Sequence, residues 1–197
     1  MRVPIKEDET MTTLSVFNES QTITFIDSTE DFLEITRALN KVGVLFERWQ
    51  ANKILPDTAE QDEVLNAYTD SINKLKSAYD ISSIDVVSLK PDNPNKKEFR
   101  NKFLAEHTHD DFEIRFFVDG CGLFYLHIND KVYCILCEKG DLISVPANTP
   151  HWFDMGENPD FKCIRLFTTE EGWVANFTGT TIAEQFPNMD EFLATTA

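Results

Sequence analysis

Three of the four histidines in this sequence, together with one glutamate, have the spacing of a single metal site. His107 and His109 form a His-Thr-His triplet, Glu113 follows four residues later, and His151 lies far downstream. Neutral imidazole and carboxylate suit divalent iron, nickel, manganese and zinc, and four such ligands leave two octahedral positions open. The pattern therefore predicts a catalytic metal with room for a substrate. The alternative is a set of scattered surface histidines beside an acidic run.

The residues that follow His109 predict a β-strand with charged side chains on its inner face. Over residues 113–118, alternation places Glu113 and Arg115 on one face and Ile114 and Phe116 on the other. Charged groups on an inner face are costly unless something binds them, so we expect a metal at Glu113 and an anionic ligand at Arg115. The alternative is a Glu113–Arg115 ion pair on a solvent-facing surface, with Ile114 and Phe116 inward.

Two segments resemble the metal motifs of the cupins, and they occur in the order that cupins have. The first segment contains His-Thr-His, then a glutamate after three further residues and a glycine after six more. The second contains a glycine, then Pro-Ala-Asn after five residues and a histidine after two more. Their fixed residues are His107, His109, Glu113, Gly120, Gly140, Pro146 and His151. Asn101, Asn148 and Met155 depart from the usual pattern. Asn148 can still make the turn after Pro146, because asparagine tolerates a positive φ.

The flanking residues narrow the resemblance to the bacterial acireductone dioxygenases. The matching strings begin with Lys102-Phe-Leu-Ala-Glu-His-Thr-His and continue through Gly140-Asp-Leu-Ile-Ser-Val-Pro to Ile164-Arg-Leu-Phe and Gly172-Trp-Val-Ala. The resemblance is dense over residues 95–179, the expected metal-site core, and weaker back to residue 13. It implies an α+β, mainly β fold: a cupin-type antiparallel β-sandwich or jelly-roll barrel with N-terminal helices packed outside.

The activity that this resemblance implies is oxidation of acireductone (1,2-dihydroxy-3-keto-5-methylthiopentene) by O2 in methionine salvage. One Fe(II) or Ni(II) per chain would be held by the three histidines and the glutamate. In the family, the Fe(II) form gives 2-keto-4-methylthiobutyrate and formate. The Ni(II) form gives carbon monoxide, formate and 3-methylthiopropionate.

Further site residues follow from their positions beside the motifs. Arg115 is the candidate for stabilising the substrate dianion, because guanidinium stays charged and offers a fork of donors. Glu106 is either a supporting group or base near the metal, or a solvated carboxylate. Phe103 and Phe153 either contact the methylthio tail or pack in the core. Arg165 either lines the pocket or makes a structural salt bridge.

Composition bounds the protein's class and partners. The 197 residues suffice for one domain, expected over residues 13–197 after a flexible acidic extension at 1–12. A net charge of −16 argues against nucleic acid and anionic membranes as partners. No apolar run reaches the roughly 20 residues of a membrane span, and no signal peptide is evident, so we expect a cytoplasmic protein. We also expect a monomer. The four cysteines are expected to be buried thiols, with Cys134 and Cys137 on opposite strand faces.

Periodicity predicts helices in the N-terminal half and mostly strands from Glu106 onward. We expect a helix over residues 28–41, a longer one over 64–79 and a short one ending near Leu104. Strands are expected at 44–49 and 84–89.

Two rival functions remain: another cupin dioxygenase or isomerase with the same ligands, or a non-enzymatic cupin that binds a small molecule. A sensor of the second kind usually carries a basic recognition helix, which this sequence lacks.

Overall fold

The computed structural model describes residues 11–196, which form eleven strands and five α-helices. The strands are β1 (Thr13–Asn18), β2 (Gln21–Thr29), β3 (Leu45–Arg48), β4 (Ser83–Leu89), β5 (His107–Thr108), β6 (Glu113–Ile128), β7 (Lys131–Glu138), β8 (Asp141–Val145), β9 (His151–Asp154), β10 (Phe161–Phe167) and β11 (Asn176–Phe177). The helices are α1 (Phe32–Asn40), α2 (Gln61–Ala67), α3 (Thr69–Ala78), α4 (Lys96–Leu104) and α5 (Met189–Thr196), and a 3-10 turn spans Ile182–Gln185.

The strands form two antiparallel sheets that share β6. The large sheet has the order β2-β1-β7-β6-β9-β5-β11. The small sheet has the order β3-β8-β6-β10-β4. The first half of β6 pairs with β8 and β10, and its second half pairs with β7 and β9. This confirms the expected antiparallel cupin-type sandwich with helices outside.

Gly120 lies where β6 passes from the small sheet to the large one. Its φ is +63°, and a Cβ at this position would lie 1.9 Å from the backbone oxygen of Asp160. Residue 120 pairs with Phe161 of β10, so the neighbouring backbone occupies the space that a side chain would need. Glycine therefore allows one strand to serve both sheets and to carry Glu113 and Arg115 into the space between them.

Three apolar layers fill the fold. The layer between the sheets includes Phe117, Phe124 and Phe153. A second layer joins the outer face of the small sheet to α2 and α3, and it includes Ile114 and Phe116. A third joins the large sheet to the C-terminal segment through Tyr125, Trp152, Phe186 and Phe192. The placement of Ile114 and Phe116 opposite Phe117 confirms the alternation predicted for residues 113–118.

The N-terminal elements differ from the sequence predictions, which did not include β1 or β2. The predicted start of the first helix at residue 28 is wrong, because β2 continues to Thr29 and the Asp31 carboxylate accepts hydrogen bonds from the amides of Leu33 and Glu34. The predicted helix over 64–79 is divided at Tyr68. The strand predicted at 84–89 is confirmed as β4, whereas α5 was not predicted.

The sequence also predicted that the cysteines are buried and that Cys134 and Cys137 lie on opposite strand faces. Cys134 and Cys137 lie in different apolar layers, which confirms that they face opposite sides of β7. Cys121 is only partly buried, so the expectation of burial is wrong for that residue.

Residues 1–10 of the expected extension lie outside the described residues. Thr12 is buried and donates a hydrogen bond to Asp141 at 2.5 Å. Within residues 11–196, no helix is long and apolar enough to cross a membrane.

We predict that Gly120→Ala destabilises the protein by about 3 kcal/mol or more, because the new methyl group must displace the β10 backbone as well as adopt a positive φ. Gly179→Ala is the matched control. Its φ is +76°, but no heavy atom lies within 4 Å of the position that a Cβ would take. That variant should lose only about 1 kcal/mol. Urea unfolding would measure both, and equal losses would contradict the role given to Asp160.

Candidate metal centre

His107, His109 and His151 point their ring nitrogens at one another. His107 of β5 pairs directly with His151 of β9, and His109 follows one residue after β5. The positive φ of Asn148, +61°, confirms the turn expected after Pro146, which leads into β9. One nitrogen from each ring lies within 4.8 Å of the other two, and all three side chains are buried. The spacing of the sequence thus brings together the three histidines that it singled out.

Each histidine is oriented by a hydrogen bond on its other nitrogen. The Nδ1 atoms of His107 and His151 lie 2.7 Å from the carbonyl oxygens of Ala105 and Thr149, and Nδ1 of His109 lies 2.8 Å from that of Val174. A carbonyl oxygen can only accept, so Nδ1 carries the proton and the Nε2 lone pair stays available. Three Nε2 lone pairs therefore converge on one point.

Glu113 presents a carboxylate oxygen to two of the three histidines, His109 and His151. Its Oε1 accepts a hydrogen bond from Nε of Arg115 at 2.8 Å and lies 2.7 Å from Nη2 in an ion pair. Its Oε2 lies 3.2 Å from Nε2 of His151 and 3.9 Å from Nε2 of His109. Oε2 and the His151 Nε2 are buried and neither makes a hydrogen bond. Buried polar atoms normally have partners, and a divalent cation would bind both, so these four side chains fit one metal ion.

The charge states suit a cation. Burial lowers the pKa of His107 to about 4 and also lowers that of His109, so both rings are neutral near pH 7. Burial has the largest single effect and would raise the pKa of Glu113, but Arg115 together with the imidazoles of His151 and His109 lowers that pKa by more. The pKa of Glu113 therefore lies well below its usual value, and the carboxylate stays ionised.

A cavity of about 360 Å³ opens beside the histidines. His107 and His109 form part of its wall, and its cationic lining residues are Lys102, Arg115 and Arg165. No aspartate or glutamate lines it within the described part of the chain. The rest of the wall is largely apolar and comprises Val86, Val87, Leu89, Phe99, Phe103, Met155, Phe161, Trp173, Ala175 and Phe177, with Ser88 and Asn93 as its polar members. The cavity can therefore accept an anion with an apolar tail.

Residues 168–180 cross one side of this cavity and are attached by two buried carboxylates. At their start, Asp111 accepts hydrogen bonds from the amides of Thr168 and Thr169 at 2.6 Å and 2.8 Å. At their end, Glu106 accepts from the hydroxyl groups of Thr178 and Thr180 at 2.6 Å and 2.8 Å. The segment includes the carbonyl of Val174 that orients His109, so its attachment also affects the metal site.

The structure places the remaining predicted residues as follows. Phe103 lines the cavity, whereas Phe153 is buried in the layer between the sheets and is not among the lining residues. Arg165 lines the cavity and also makes a bidentate pair with Asp85, at 2.8 Å and 2.6 Å. The interpretation of Glu106 as a solvated carboxylate is wrong, because it is 3% exposed and bonded to His127 and the two threonines.

Sequence reasoning missed several lining residues. Lys102 and Trp173 occurred in the strings that carried the family resemblance, but nothing assigned them a role. Met155 was noted only as a departure from the second motif. Residues 86–89 come from a strand far from both motifs, so only the pairing of β4 with β10 brings them to the cavity.

Comparisons with known proteins agree with this arrangement. Residues 13–175 match the ARD/ARD′ family model. The chain is 55% identical to an acireductone dioxygenase of Aquifex aeolicus over 92% of this chain and 98% of the relative. It is 59% identical to one of Methylococcus capsulatus over 81% and 86%.

A solved structure supports the same relationship. It is the acireductone dioxygenase of Bacillus anthracis with a cadmium ion in its active centre, which is 31% identical with a TM-score of 0.73. The match covers 85% of this chain and 98% of that one. By sequence and by fold, the chain belongs to the ARD/ARD′ family of acireductone dioxygenases.

Proposed function

We propose that this protein is a metal-dependent dioxygenase that oxidises acireductone with O2, and that His107, His109, Glu113 and His151 hold its metal. The main support is the convergence of three Nε2 lone pairs beside a buried carboxylate oxygen that makes no hydrogen bond. One chain supplies all four side chains, so the site needs no second subunit. We therefore propose one ion per chain and a monomeric enzyme.

The metal is proposed to be Fe(II) or Ni(II). Three imidazoles and one carboxylate accept either ion, and two positions of an octahedron remain for two substrate oxygens. When bound, the ion would supply a Lewis acid and a template for the enediolate. The four side chains contribute by being oriented beforehand, since each histidine is already hydrogen-bonded through Nδ1 and Glu113 is already paired with Arg115.

Arg115 is proposed to have two tasks. Its Nε and Nη2 hold Oε1 of Glu113, which directs Oε2 towards the histidines. Its guanidinium also lines the cavity, where its positive charge would stabilise the substrate dianion. The rings of Phe124 and Phe153 lie 4.9 Å and 5.1 Å from the guanidinium carbon and keep it in place.

Glu106 is proposed to position rather than to transfer protons to substrate. Its carboxylate is occupied by Thr178, Thr180 and His127, and it does not line the cavity. It holds the end of residues 168–180 beside His107. The apolar wall near Phe103, Met155 and Phe161 is proposed to receive the methylthio tail, because burial of these surfaces excludes water from both partners.

Replacing Glu113 by Gln should reduce metal affinity by about tenfold or more and reduce activity in parallel, because an anionic ligand becomes neutral while the shape is kept. Metal analysis should find about one ion per wild-type chain and almost none in a His107→Ala, His151→Ala double variant. Glu30→Gln, the same change at an exposed position between β2 and α1, should keep its metal. A full equivalent of metal in Glu113→Gln would exclude Glu113 as a ligand.

Arg115→Lys should keep the metal but lose activity by about tenfold or more, because lysine retains the charge without the planar fork that fixes geometry. Metal content and turnover of acireductone would be measured together. Arg37→Lys, at an exposed position of α1, is the control and should behave like wild type. Normal turnover in Arg115→Lys would show that Arg115 acts only as a structural strand residue.

The function itself is tested by reconstituting the metal-free protein separately with Fe(II) and Ni(II) and adding acireductone under air. We expect loss of enediolate absorbance with both ions. Fe(II) protein should release 2-keto-4-methylthiobutyrate and formate, and Ni(II) protein should release carbon monoxide, formate and 3-methylthiopropionate. Identical product mixtures would refute control of the products by the metal. No consumption with either ion would refute the proposed function.

A further inference from the structure

We propose that Lys102 is the cation that captures the anionic substrate at the cavity. Its charge would make the enzyme bind the ionised form of a ligand more tightly than a neutral form. This inference rests on the proposed function, because it takes the substrate to be an enediolate. Lys102 is the seventh residue of α4, in its last turn, and its side chain lines the cavity. Lys102 is not one of the four proposed metal ligands.

Two of the three lining cations already have anionic partners within the fold. Arg165 is paired with both carboxylate oxygens of Asp85, at 2.8 Å and 2.6 Å. Arg115 is paired with Glu113 at 2.7 Å and is 2% exposed. Each of these two positive charges is therefore opposed by a negative charge that belongs to the fold. Neither adds a full uncompensated charge to the cavity.

Lys102 differs from both arginines. Within residues 11–196 it makes no ion pair, and none of the described lining residues is a carboxylate that could neutralise it. Two other cations of α4 are committed elsewhere: Arg100 pairs with Asp154 and Asp190, and Lys96 donates to Asn158. Lys102 is therefore the lining cation whose charge no carboxylate of the described residues opposes.

The chain as a whole makes such a charge necessary. At a net charge of −16, the protein repels an approaching anion at long range. A local cation in the cavity wall offsets this repulsion within roughly one Debye length, about 8 Å at physiological ionic strength. Lysine suits capture, because its ammonium is a point charge on a flexible chain, whereas the planar arginine fork suits fixed geometry. Lys102 would thus favour binding, and Arg115 would favour the reaction.

The kinetic test uses Lys102→Met, Lys102→Arg and the control Lys97→Met. Lys97 is exposed on the same helix but does not line the cavity, so its replacement changes the net charge equally. At low salt, Lys102→Met should raise KM for acireductone about fivefold, the range of an exposed ion pair, with kcat and metal content unchanged. Lys102→Arg and Lys97→Met should match wild type, and added salt should reduce the difference. Equal KM changes in Lys102→Met and Lys97→Met would show that only the net charge of the protein matters, and not the position of Lys102. That result would overturn the proposal.

A binding test separates this proposal from the proposed function, since equilibrium binding needs no turnover. Titration calorimetry of metal-loaded protein would compare 3-methylthiopropionate with its neutral primary amide. Lys102→Met should weaken the carboxylate about fivefold and leave the amide unchanged. Equal weakening of both ligands, unchanged affinity for the carboxylate, or no carboxylate binding by wild type would each overturn the proposal. Failure of wild type to consume acireductone would instead refute the proposed function.

Discussion

The ion pair between Glu113 and Arg115 constrains the rest of the site, because both groups are almost completely removed from water. Removing an ion from water costs several kcal/mol, which attraction between two charges offsets only when their other hydrogen-bonding positions are also occupied. Arg115 meets this demand partly through the rings of Phe124 and Phe153. Glu113 has one oxygen left, and that oxygen faces His109 and His151. This oxygen makes no hydrogen bond, and a bound cation would be a partner for it.

The three histidines are oriented by two different means. His107 and His151 each use the carbonyl of the residue two positions earlier, so their ring orientation is set locally. His109 uses the carbonyl of Val174, which is 65 residues away in the chain. The complete ligand set thus exists only when residues 168–180 are in place. Asp111 and Glu106 hold the two ends of that segment, so two buried carboxylates outside the metal site contribute to the geometry inside it.

Short patterns with one physical solution could be predicted from the sequence, whereas contacts between distant elements could not. Alternation placed Glu113 opposite Ile114, but it assigns faces and not contacts, so it could not reveal that Glu113 and Arg115 form a buried ion pair. The break at Tyr68 is invisible to periodicity, because buried residues on both sides of it continue one helical face. Phe99 and Phe103 mark one side of helix α4, but spacing alone could not show that this side lines a cavity, since α4 buries no residue. Strand β4 reaches the cavity only through its pairing with β10.

The charge of the cavity wall is opposite in sign to the net charge of the chain. The chain as a whole is strongly acidic, which by itself argues against an anionic substrate, whereas the cavity wall is cationic and lacks carboxylates among the described residues. The two observations agree once the charges are located. Glu113 and Asp85 pair with arginines, and Glu106 and Asp111 accept hydrogen bonds from backbone and hydroxyl donors of residues 168–180. Acidic groups near the site thus act as supports, which leaves the cavity itself open to an anion.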